Sequence, residues 1–313
     1  MFVSVIVPTY NRRSILEKCL PAIAHQDLGE DSLIDDWEVI VVDDGSTDDT
    51  IVWLTQTVVN FPRIRWFRQN HLGPAAARNL GLEKARGDTI VFIDSDLVVT
   101  PSFLAAHAKG LKQGREKYDD RVFTYGRVIN TSNFDNPTCE PYKLTDFSAA
   151  YFATGNVAIS RHWLDKAGHF DTAFSQYGWE DLELGVRLKQ LGLKLIKCPE
   201  AVGYHLQTSF TVDRLPSLID REIQRGRMGL IFYQKHPTWE VRMMVQMTPL
   251  HQLLWGILSL GGTLNERTMA PFLRWLVDRD RPQLALEIAR IFLNWYNVRA
   301  VYQAYREWQR SRL

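Results

Sequence analysis

Two acidic segments of this sequence have the residue types and spacing of a metal or acid–base site. In the first, Asp94 and Asp96 are separated by one residue and directly follow the apolar run Thr89–Ile93. Two carboxylates at a strand end can face one cleft, and hard cations such as Mn²⁺ or Mg²⁺ prefer such oxygens, with phosphates completing the coordination. Because Asp and Ser are also common in turns, a simple turn accounts for this segment equally well.

The second acidic segment, Gly-Trp-Glu-Asp at 178–181, precedes a helical pattern of apolar residues. Acidic residues in a first helical turn are favourable with the helix dipole, which alone explains Glu180 and Asp181. The pair also fits a general base beside an aromatic platform for a sugar. The dipole favours an ionised Asp181 whereas Glu180 opposes double ionisation, so we expect Asp181 to stay mostly charged near neutral pH. His205, at a later strand end, is either a metal ligand or a structural histidine.

The elements that must position these residues alternate between strand and helix patterns in the first hundred residues. Apolar runs rich in β-branched residues predict strands at 3–7, 37–42, 64–68 and 89–93. Amphipathic spacing predicts helices at 13–26, 48–60 and 74–85, with Ser46 or Thr47 as the N-cap of the second. Such alternation indicates a mostly parallel sheet covered on both faces, in which ligands bind beyond the carboxyl ends of the strands.

The rest of the chain predicts a mixed α/β half at 101–213 and a helical region at 214–313, following the first part at 1–100. Within 284–305 apolar residues recur at helical spacing, and polar residues such as Asn297 fall largely on the other face. This face and the apolar run 253–260 predict packing on the catalytic domain, packing on a second subunit, or an interfacial helix on a membrane. The sequence leaves these alternatives open.

Composition limits the class of protein. The net charge of +1 gives no support to nucleic-acid binding, although residues 214–313 hold fifteen Lys and Arg against eight Asp and Glu. Three widely spaced cysteines fit a reducing compartment better than a disulfide framework. We expect no signal peptide and no transmembrane helix, because no apolar stretch has the required length. The expected location is cytoplasmic, with peripheral binding at the cytoplasmic face of a membrane as the alternative.

The order of the motifs adds information that no single motif carries. Along the chain they read Val-Pro-Thr-Tyr-Asn, Val-Val-Asp-Asp-Gly-Ser-Thr-Asp, Ala-Ala-Arg-Asn-Leu-Gly, Ile-Asp-Ser-Asp, Gly-Trp-Glu-Asp and Tyr-His. In this order and spacing, residues 2–210 closely resemble inverting family 2 glycosyltransferases of the GT-A fold. Residues 154–205 also resemble the catalytic half of galactosyl- and N-acetylgalactosaminyl-transferases. The resemblance implies an α/β, Rossmann-like central sheet flanked by helices, and it stops before the helical C-terminal extension.

The resemblance also implies roles for matching residues on the nucleotide side of the site. It assigns Pro8 and Tyr10 to the border of the uracil, Asp43 to the uracil ring N–H, Arg78 to the nucleotide-sugar, and Asp94 with Ser95 to the ribose or sugar. Asp96 would hold a divalent cation, Mn²⁺ or Mg²⁺, together with the diphosphate. His205 would be the further protein ligand of that cation.

On the acceptor side, the resemblance makes Asp181 the general base. Glu180 would position donor or acceptor hydroxyls, and Trp179 would stack on a sugar face. Gly155 and Asn156 would complete this platform for the sugar or acceptor. These roles agree with elementary chemistry, because an acceptor hydroxyl has a high pKa and a carboxylate must take its proton as it attacks.

The predicted function is therefore a metal-dependent inverting glycosyltransferase. It would move Gal, GalNAc, Glc or GlcNAc from a UDP-sugar to a glycan or lipid-linked acceptor, with a homodimer or a membrane contact through 214–313 as partner alternatives. A sugar nucleotidyltransferase is a second class, but its Gly-rich phosphate loop does not match the N-terminal Pro-Thr-Tyr-Asn. A catalytically silent glycan-binding protein is a third class, against which the two retained acid pairs argue.

Overall fold

The computed structural model describes residues 1–30, 32–148 and 150–311. The chain forms two compact units. We call Met1–Ser175 with Glu180–Gln207 the sheet unit, and Gln176–Trp179 with Thr208–Leu313 the helical unit. The predicted division of the chain after residues 100 and 213 stays a prediction.

The sheet unit is built on one eight-stranded sheet with the order β3-β2-β1-β4-β7-β6-β8-β5. Its strands are β1 Phe2–Thr9, β2 Asp36–Asp43, β3 Ile64–Arg68, β4 Thr89–Ile93, β5 Leu97–Val99, β6 Val122–Thr131, β7 Asn156–Ser160 and β8 Lys194–Leu206. The first four in spatial order pair in parallel, as do β6 and β8, whereas β7 and β5 run antiparallel to their neighbours. The predicted mostly parallel α/β sheet is confirmed.

Helices cover both faces of this sheet. They are α1 Arg13–Ala24, α2 Thr50–Thr57, α3 Pro74–Lys84, α4 Phe103–Tyr118, α5 Arg161–Ala167 and α6 Glu180–Gln190. Side chains alternate between the faces along each strand, as the strand period requires. Val5 of β1 packs with Leu16 of α1 in one core, whereas the next residue, Ile6, packs with Leu82 of α3 in the other. The sheet therefore lies between two apolar layers.

The loop after β2 differs from its predicted form. Neither Ser46 nor Thr47 caps α2, which begins at Thr50 without a side-chain cap hydrogen bond. Both residues instead bind Asn11: its backbone N–H donates to Ser46 Oγ at 2.8 Å, and its Oδ1 accepts from Thr47 N at 2.8 Å. The predicted N-caps are wrong because both residues form hydrogen bonds with Asn11, two residues after β1, instead of with the start of α2.

The strand β8 is the longest of the sheet. Its pairing with β6 has an irregularity opposite Gly126 and Arg127. Beyond this irregularity β8 continues to Leu206 and pairs antiparallel with β5. His205 is thereby brought opposite Leu97, one residue after Asp96.

The helical unit contains α7 Leu215–Lys235, α8 Trp239–Met244, α9 Pro249–Leu258, α10 Glu266–Val277 and α11 Pro282–Arg310. The predicted polar face of α11 is wrong at Asn297, which is buried and donates from Nδ2 to the backbone carbonyl of Glu222 at 3.2 Å. The reason is close packing against α7, where a Cβ at Gly226 would lie 2.6 Å from the Asn297 carbonyl oxygen. Among the described residues, no helix combines the length and hydrophobicity needed to cross a bilayer.

Candidate active site

One buried arginine joins the two acidic segments. Arg78, on α3, donates from Nη1 to Glu180 Oε1 at 2.8 Å, and its Nη2 lies 3.3 Å from Asp94 Oδ1. The arginine is only 6% exposed, and its guanidinium also lies over the ring of Phe170. The carboxyl end of β4 and the first turn of α6 are therefore held together by a cation that is largely shielded from water.

Asp96 and His205 form a second cluster. His205 Nε2 lies 3.2 Å from Asp96 Oδ1, and Arg12 makes an ion pair with Asp96 Oδ2. The local cause is the β5–β8 pairing, in which Leu206 N also donates to the Asp96 carbonyl at 2.8 Å. The other ring nitrogen of His205 lies 3.0 Å from Asn130 Oδ1, which fixes the orientation of the ring.

The pKa values of Asp96 and His205 are shifted in opposite directions. Burial acts to raise the pKa of Asp96, but the adjacent His205 ring and the Arg12 guanidinium outweigh it, so the pKa is lowered. Burial acts to lower the pKa of His205, and the neighbouring Asp96 carboxylate reverses this and raises it. Asp96 Oδ1 is nevertheless buried without a hydrogen-bond donor of suitable geometry. An ionised, incompletely satisfied oxygen faces an imidazole nitrogen.

Asp181 differs from its predicted state. Burial of its carboxyl group and the adjacent Glu180 raise its pKa to about 7, against the opposing effect of Arg78. Part of the residue remains solvent-exposed, while its carboxyl lies among protein atoms at the start of α6. The expectation of a mostly ionised Asp181 near neutral pH is wrong, because burial outweighs the helix dipole. The carboxyl can gain or lose a proton near neutrality.

Glu180 has a different environment from its neighbour. Its residue is buried, and one carboxylate oxygen accepts the hydrogen bond from Arg78. The other oxygen, Oε2, is buried without a hydrogen-bond partner in the protein. Since buried polar atoms in folded proteins are nearly always paired, this oxygen is available to a hydroxyl of a bound ligand.

Tyr10 stands at the same edge of the sheet, one residue past β1. Its ring stacks on His71 with 4.1 Å between centroids, and both rings remain accessible to solvent. The loop that carries His71 is fixed by Asp44, whose carboxylate accepts from Leu72 N and Gly73 N at 2.9 Å. Sequence reasoning missed Asp44 and His71. The paired Asp43-Asp44 was the available signal for the first of them.

Asp43 and Ser95, two predicted residues of the nucleotide side, are buried, whereas Pro8 is half-buried. Asp43 is fully buried at the end of β2, where its Oδ2 accepts from Ser46 N at 3.1 Å. Arg68 lies 3.5 Å from the same oxygen. Ser95 is also buried, and Pro8 lies within β1. The hydrogen bond from a base to Asp43 stays a prediction.

Two predicted platform residues are not available to a sugar. Asn156 is fully buried; its Oδ1 accepts from His107 Nε2 at 2.8 Å, and its Nδ2 donates to the Ala201 carbonyl at 2.9 Å. Trp179 belongs to the helical unit, where its Nε1 donates to the Arg225 carbonyl at 2.7 Å and the Arg225 guanidinium covers its ring. Both expected roles are corrected, because each side chain serves the interior of its own unit.

Gly155 has a spatial role beside the first cluster. A Cβ built at this residue would lie 3.1 Å from Asp94 Oδ2, closer than most side chains tolerate. The absence of a side chain therefore leaves room for the Asp94 carboxylate. Of the predicted site residues, the structure brings together Arg78, Asp94 and Glu180, with Asp181 beside them, and separately Asp96 with His205.

The chain combines this sheet order with clustered acids, and comparison with known proteins identifies the family. The family model described as "Glycosyl transferase family 2" matches residues 4–168, and "N-terminal domain of galactosyltransferase" matches residues 137–210. The chain belongs to glycosyl transferase family 2. It is an enzyme of the glycosyltransferase type.

Curated relatives include synthases of long glycans. The chain is 30% identical over 242 residues to chondroitin synthase of Escherichia coli, covering 64% of this chain and 34% of the relative. It is 31% identical over 240 residues to hyaluronan synthase of Pasteurella multocida, covering 64% and 24%. The chain thus spans about a third or less of these two proteins. Validoxylamine A glucosyltransferase of Streptomyces hygroscopicus subsp. jinggangensis is 27% identical over 91% of this chain and 71% of its own.

Solved structures share the fold at low sequence identity. A mannosyltransferase from Pyrobaculum calidifontis in complex with GDP-Man and Mn²⁺ has a TM-score of 0.57 at 19% identity, covering 95% of this chain and 86% of that one. S. aureus TarS 1–349 in complex with UDP-GlcNAc has a TM-score of 0.52 at 17% identity, covering 93% and 91%. GalNAc-T7 with UDP, GalNAc and Mn²⁺ has a TM-score of 0.51 at 18% identity, covering 72% and 47%. These likenesses establish the GT-A fold.

Proposed function

We propose that this protein is a metal-dependent inverting glycosyltransferase that uses a UDP-sugar. The observation that carries the proposal is the Asp181 carboxyl, which has a pKa near neutrality and lies beside the Arg78–Glu180–Asp94 cluster. A group that exchanges a proton near pH 7 is suited to general-base catalysis. The UDP and UDP-GlcNAc complexes of the structural neighbours support the choice of nucleotide.

The residues at the end of β4 fit a divalent cation. Asp96 offers a buried oxygen without a hydrogen-bond donor, and His205 offers a ring nitrogen 3.2 Å away. Asn130 orients the ring from its other side, as partners of metal-ligating histidines usually do. In the described ranges no three such side chains form a complete metal site, so phosphate oxygens would have to complete the coordination. A bound cation, Mn²⁺ or Mg²⁺, would offset the charge of the leaving diphosphate.

Asp181 then acts on the acceptor. As the acceptor oxygen bonds to the anomeric carbon, Asp181 takes the hydroxyl proton and the bond from that carbon to the diphosphate breaks. The free Glu180 Oε2 accepts a hydrogen bond from a sugar hydroxyl and orients it. Arg78 pairs with Glu180 and places positive charge beside Asp94. A direct displacement with a single base inverts the configuration at the anomeric carbon.

On the nucleotide side, we assign Tyr10, Pro8 and Asp43 to the uracil, and Ser95 with Asp94 to the ribose or sugar. The accessible ring of Tyr10 supports this assignment. The transferred sugar would be Gal, GalNAc, Glc or GlcNAc and the acceptor a glycan or a lipid-linked glycan. The glycan-synthase and glucosyltransferase names of the curated relatives support these classes.

The experiment compares Asp181→Asn with the wild-type protein across a panel of UDP-sugars and acceptors with Mn²⁺. Asn keeps the size and hydrogen bonding of Asp but lacks the basic oxygen. We expect the variant to bind UDP-sugar nearly as well while its transfer rate falls by about 10²-fold or more, as for loss of a general base. Glu180→Gln should instead impair substrate binding together with turnover.

Asp165→Asn is the matched control, because this exposed carboxylate pairs with Arg161 along α5 and with His169. Its transfer rate should equal that of the wild type. If Asp181→Asn transfers within a few-fold of the wild type, the base lies elsewhere and Glu180 is the next residue to test. Consumption of CTP or UTP in place of UDP-sugar would favour the nucleotidyltransferase, and binding of glycan without any turnover would favour the silent protein.

A further inference from the structure

The helix α9 exposes an unusually apolar side to solvent. Its five large aliphatic side chains on that side are between 42% and 65% exposed, and none of the residues of α9 is buried. We call these residues the leucine face: Leu250, Leu253, Leu254, Ile257 and Leu258. At 3.6 residues per turn they form one continuous stripe. Contiguous exposed apolar surface of this kind marks a site of interaction.

The opposite side of α9 holds the helix in place. The ring of Trp295, on α11, lies against Gly256, and a Cβ at Gly262 would be only 2.8 Å from its Nε1. Trp255 Nε1 donates to Gln246 Oε1 at 2.7 Å, and Gln246 in turn donates to Asn294 of α11 at 3.2 Å. The helix α9 is therefore anchored on α11 by its small and aromatic residues, and the leucine face is the side that remains exposed to solvent.

Charge distribution around α9 favours one kind of occupant. Residues 243–265 contain no Asp, Glu, Lys or Arg. The next helix, α10, carries exposed Arg267, and its exposed Phe272 and Trp275 stack on each other, with the Arg279 guanidinium over the Trp275 ring. Residues 214–313 have a surplus of seven positive charges. Apolar, aromatic and arginine side chains together are the composition of helices that rest on lipid.

We propose that the leucine face of α9 docks on an anionic lipid surface. A second copy of this chain would carry the same surplus of positive charge in residues 214–313, whereas anionic headgroups attract that charge. The ten residues of α9 extend for about 15 Å, roughly half the thickness of a bilayer core, so the helix lies along the interface rather than across it. Its uncharged aliphatic side chains enter the acyl boundary, and exposed arginines of the unit such as Arg267 remain at the headgroups.

The test is vesicle flotation of the full chain. Vesicles contain either phosphatidylcholine alone or three parts phosphatidylcholine to one part phosphatidylglycerol. We expect binding to the anionic vesicles, weak binding to the neutral ones, and a decrease as ionic strength rises from about 0.1 M to about 0.5 M. The double variant Leu253→Ser/Ile257→Ser should lower the apparent affinity by about tenfold or more, because it removes two of the buried contacts with lipid.

The matched control is Leu144→Ser with Val59→Ser, two highly exposed apolar residues of the sheet unit. Circular dichroism should be unchanged in both double variants, because all four residues are exposed, and the control should bind vesicles like the wild type. The proposal is overturned if wild-type protein does not float with anionic vesicles, or if the control loses as much binding as the α9 variant. A dimer in light scattering that the α9 variant alone converts to monomer, without vesicle binding, assigns this face to a second copy.

Discussion

The end of the sheet and the outer side of α9 depart from the usual distribution of residues in opposite ways. At the sheet end, Arg78 and Glu180 are buried and paired with each other. Along α9, leucines that could form a core are exposed. Buried charges and exposed apolar patches are the informative exceptions in a soluble protein. The first kind of exception indicates chemistry, and the second indicates association.

Neither exception is explained by stability. A buried ion pair loses about as much in desolvation as it gains in attraction, and apolar replacements of such pairs are often neutral or stabilising. Exposed leucines contribute little to a fold because they bury little area. The two features are therefore retained at a cost, or at no benefit, to folding. Perturbing each of them separates the contribution to the fold from the contribution to function.

The largest expected effect is on stability, from Arg78→Met. Removing the guanidinium leaves Glu180 buried without its counter-charge, which typically costs about 3–5 kcal/mol. Arg13→Met is the control: Arg13 pairs with Glu17 and Asp49 at the surface, and exposed pairs contribute only about 0–1 kcal/mol. Urea unfolding of both variants measures the difference. Equal losses would show that the burial of the Arg78 pair has no energetic consequence.

Asp96→Ala should nearly abolish metal-dependent nucleotide binding. Asp96 supplies the proposed carboxylate ligand, and its loss leaves His205 without its acidic partner. Calorimetry of UDP with and without Mn²⁺ gives the two affinities. Asp135→Ala, at a fully exposed aspartate, should retain the enhancement by metal. An unchanged, metal-enhanced affinity in Asp96→Ala would remove this residue from the site.

The pH dependence of transfer should follow Asp181. Because the base acts deprotonated and its pKa is raised to about 7, kcat/KM should fall about tenfold for each pH unit below that value. Stability gives a second readout of opposite sign. The unfolded carboxyl, near 3.8, releases its proton first, so this residue's contribution to stability is lost as pH rises towards about 7. The stability of Asp181→Asn should not show that loss. A kcat/KM of the wild type that is constant from pH 5 to about 8 would contradict the assignment of Asp181 as the base.

The smallest effect is expected for His205→Ala. Phosphate oxygens and water can fill one vacant coordination position, so the metal enhancement of UDP affinity should weaken by about tenfold or less. His169→Ala, an exposed histidine that pairs with Asp165, is the control. The same calorimetry applies. A loss of metal enhancement as severe as that of Asp96→Ala would show that His205 contributes as much to metal binding as Asp96 does.

Local patterns predicted the sheet well. The strands at Ile64–Arg68 and Thr89–Ile93 have their predicted bounds, because continuous apolar runs bounded by turns are a local signal. Membership in family 2 followed from the order of motifs along the chain. The order of motifs can be recognised without knowing any contact between them. It also led to the prediction that Arg78, Asp94 and Glu180 belong to one site.

The wrong predictions concern residues whose environment is set by distant parts of the chain. Trp179 was expected to face a sugar, but Arg225 covers it. Ser46 was expected to cap a helix, but it binds Asn11. Asp181 was expected to be ionised, but burial, which no local pattern reports, raises its pKa. In each case the chemistry of the side chain was considered, but the contact that decides its role comes from a part of the chain that is distant in sequence.

Asn156 has a consequence for how the sheet unit folds. Its hydrogen-bond partners His107, Arg127 and Ala201 lie 49, 29 and 45 positions away in the sequence. Contacts between residues so far apart in sequence stabilise the fold only after the intervening loops have closed, so they tend to form late. Until α4, β6, β7 and β8 are all assembled, a buried amide would remain unpaired. One side chain thus makes four elements cooperative, and we expect their backbone amides to exchange with solvent hydrogen as a single unit.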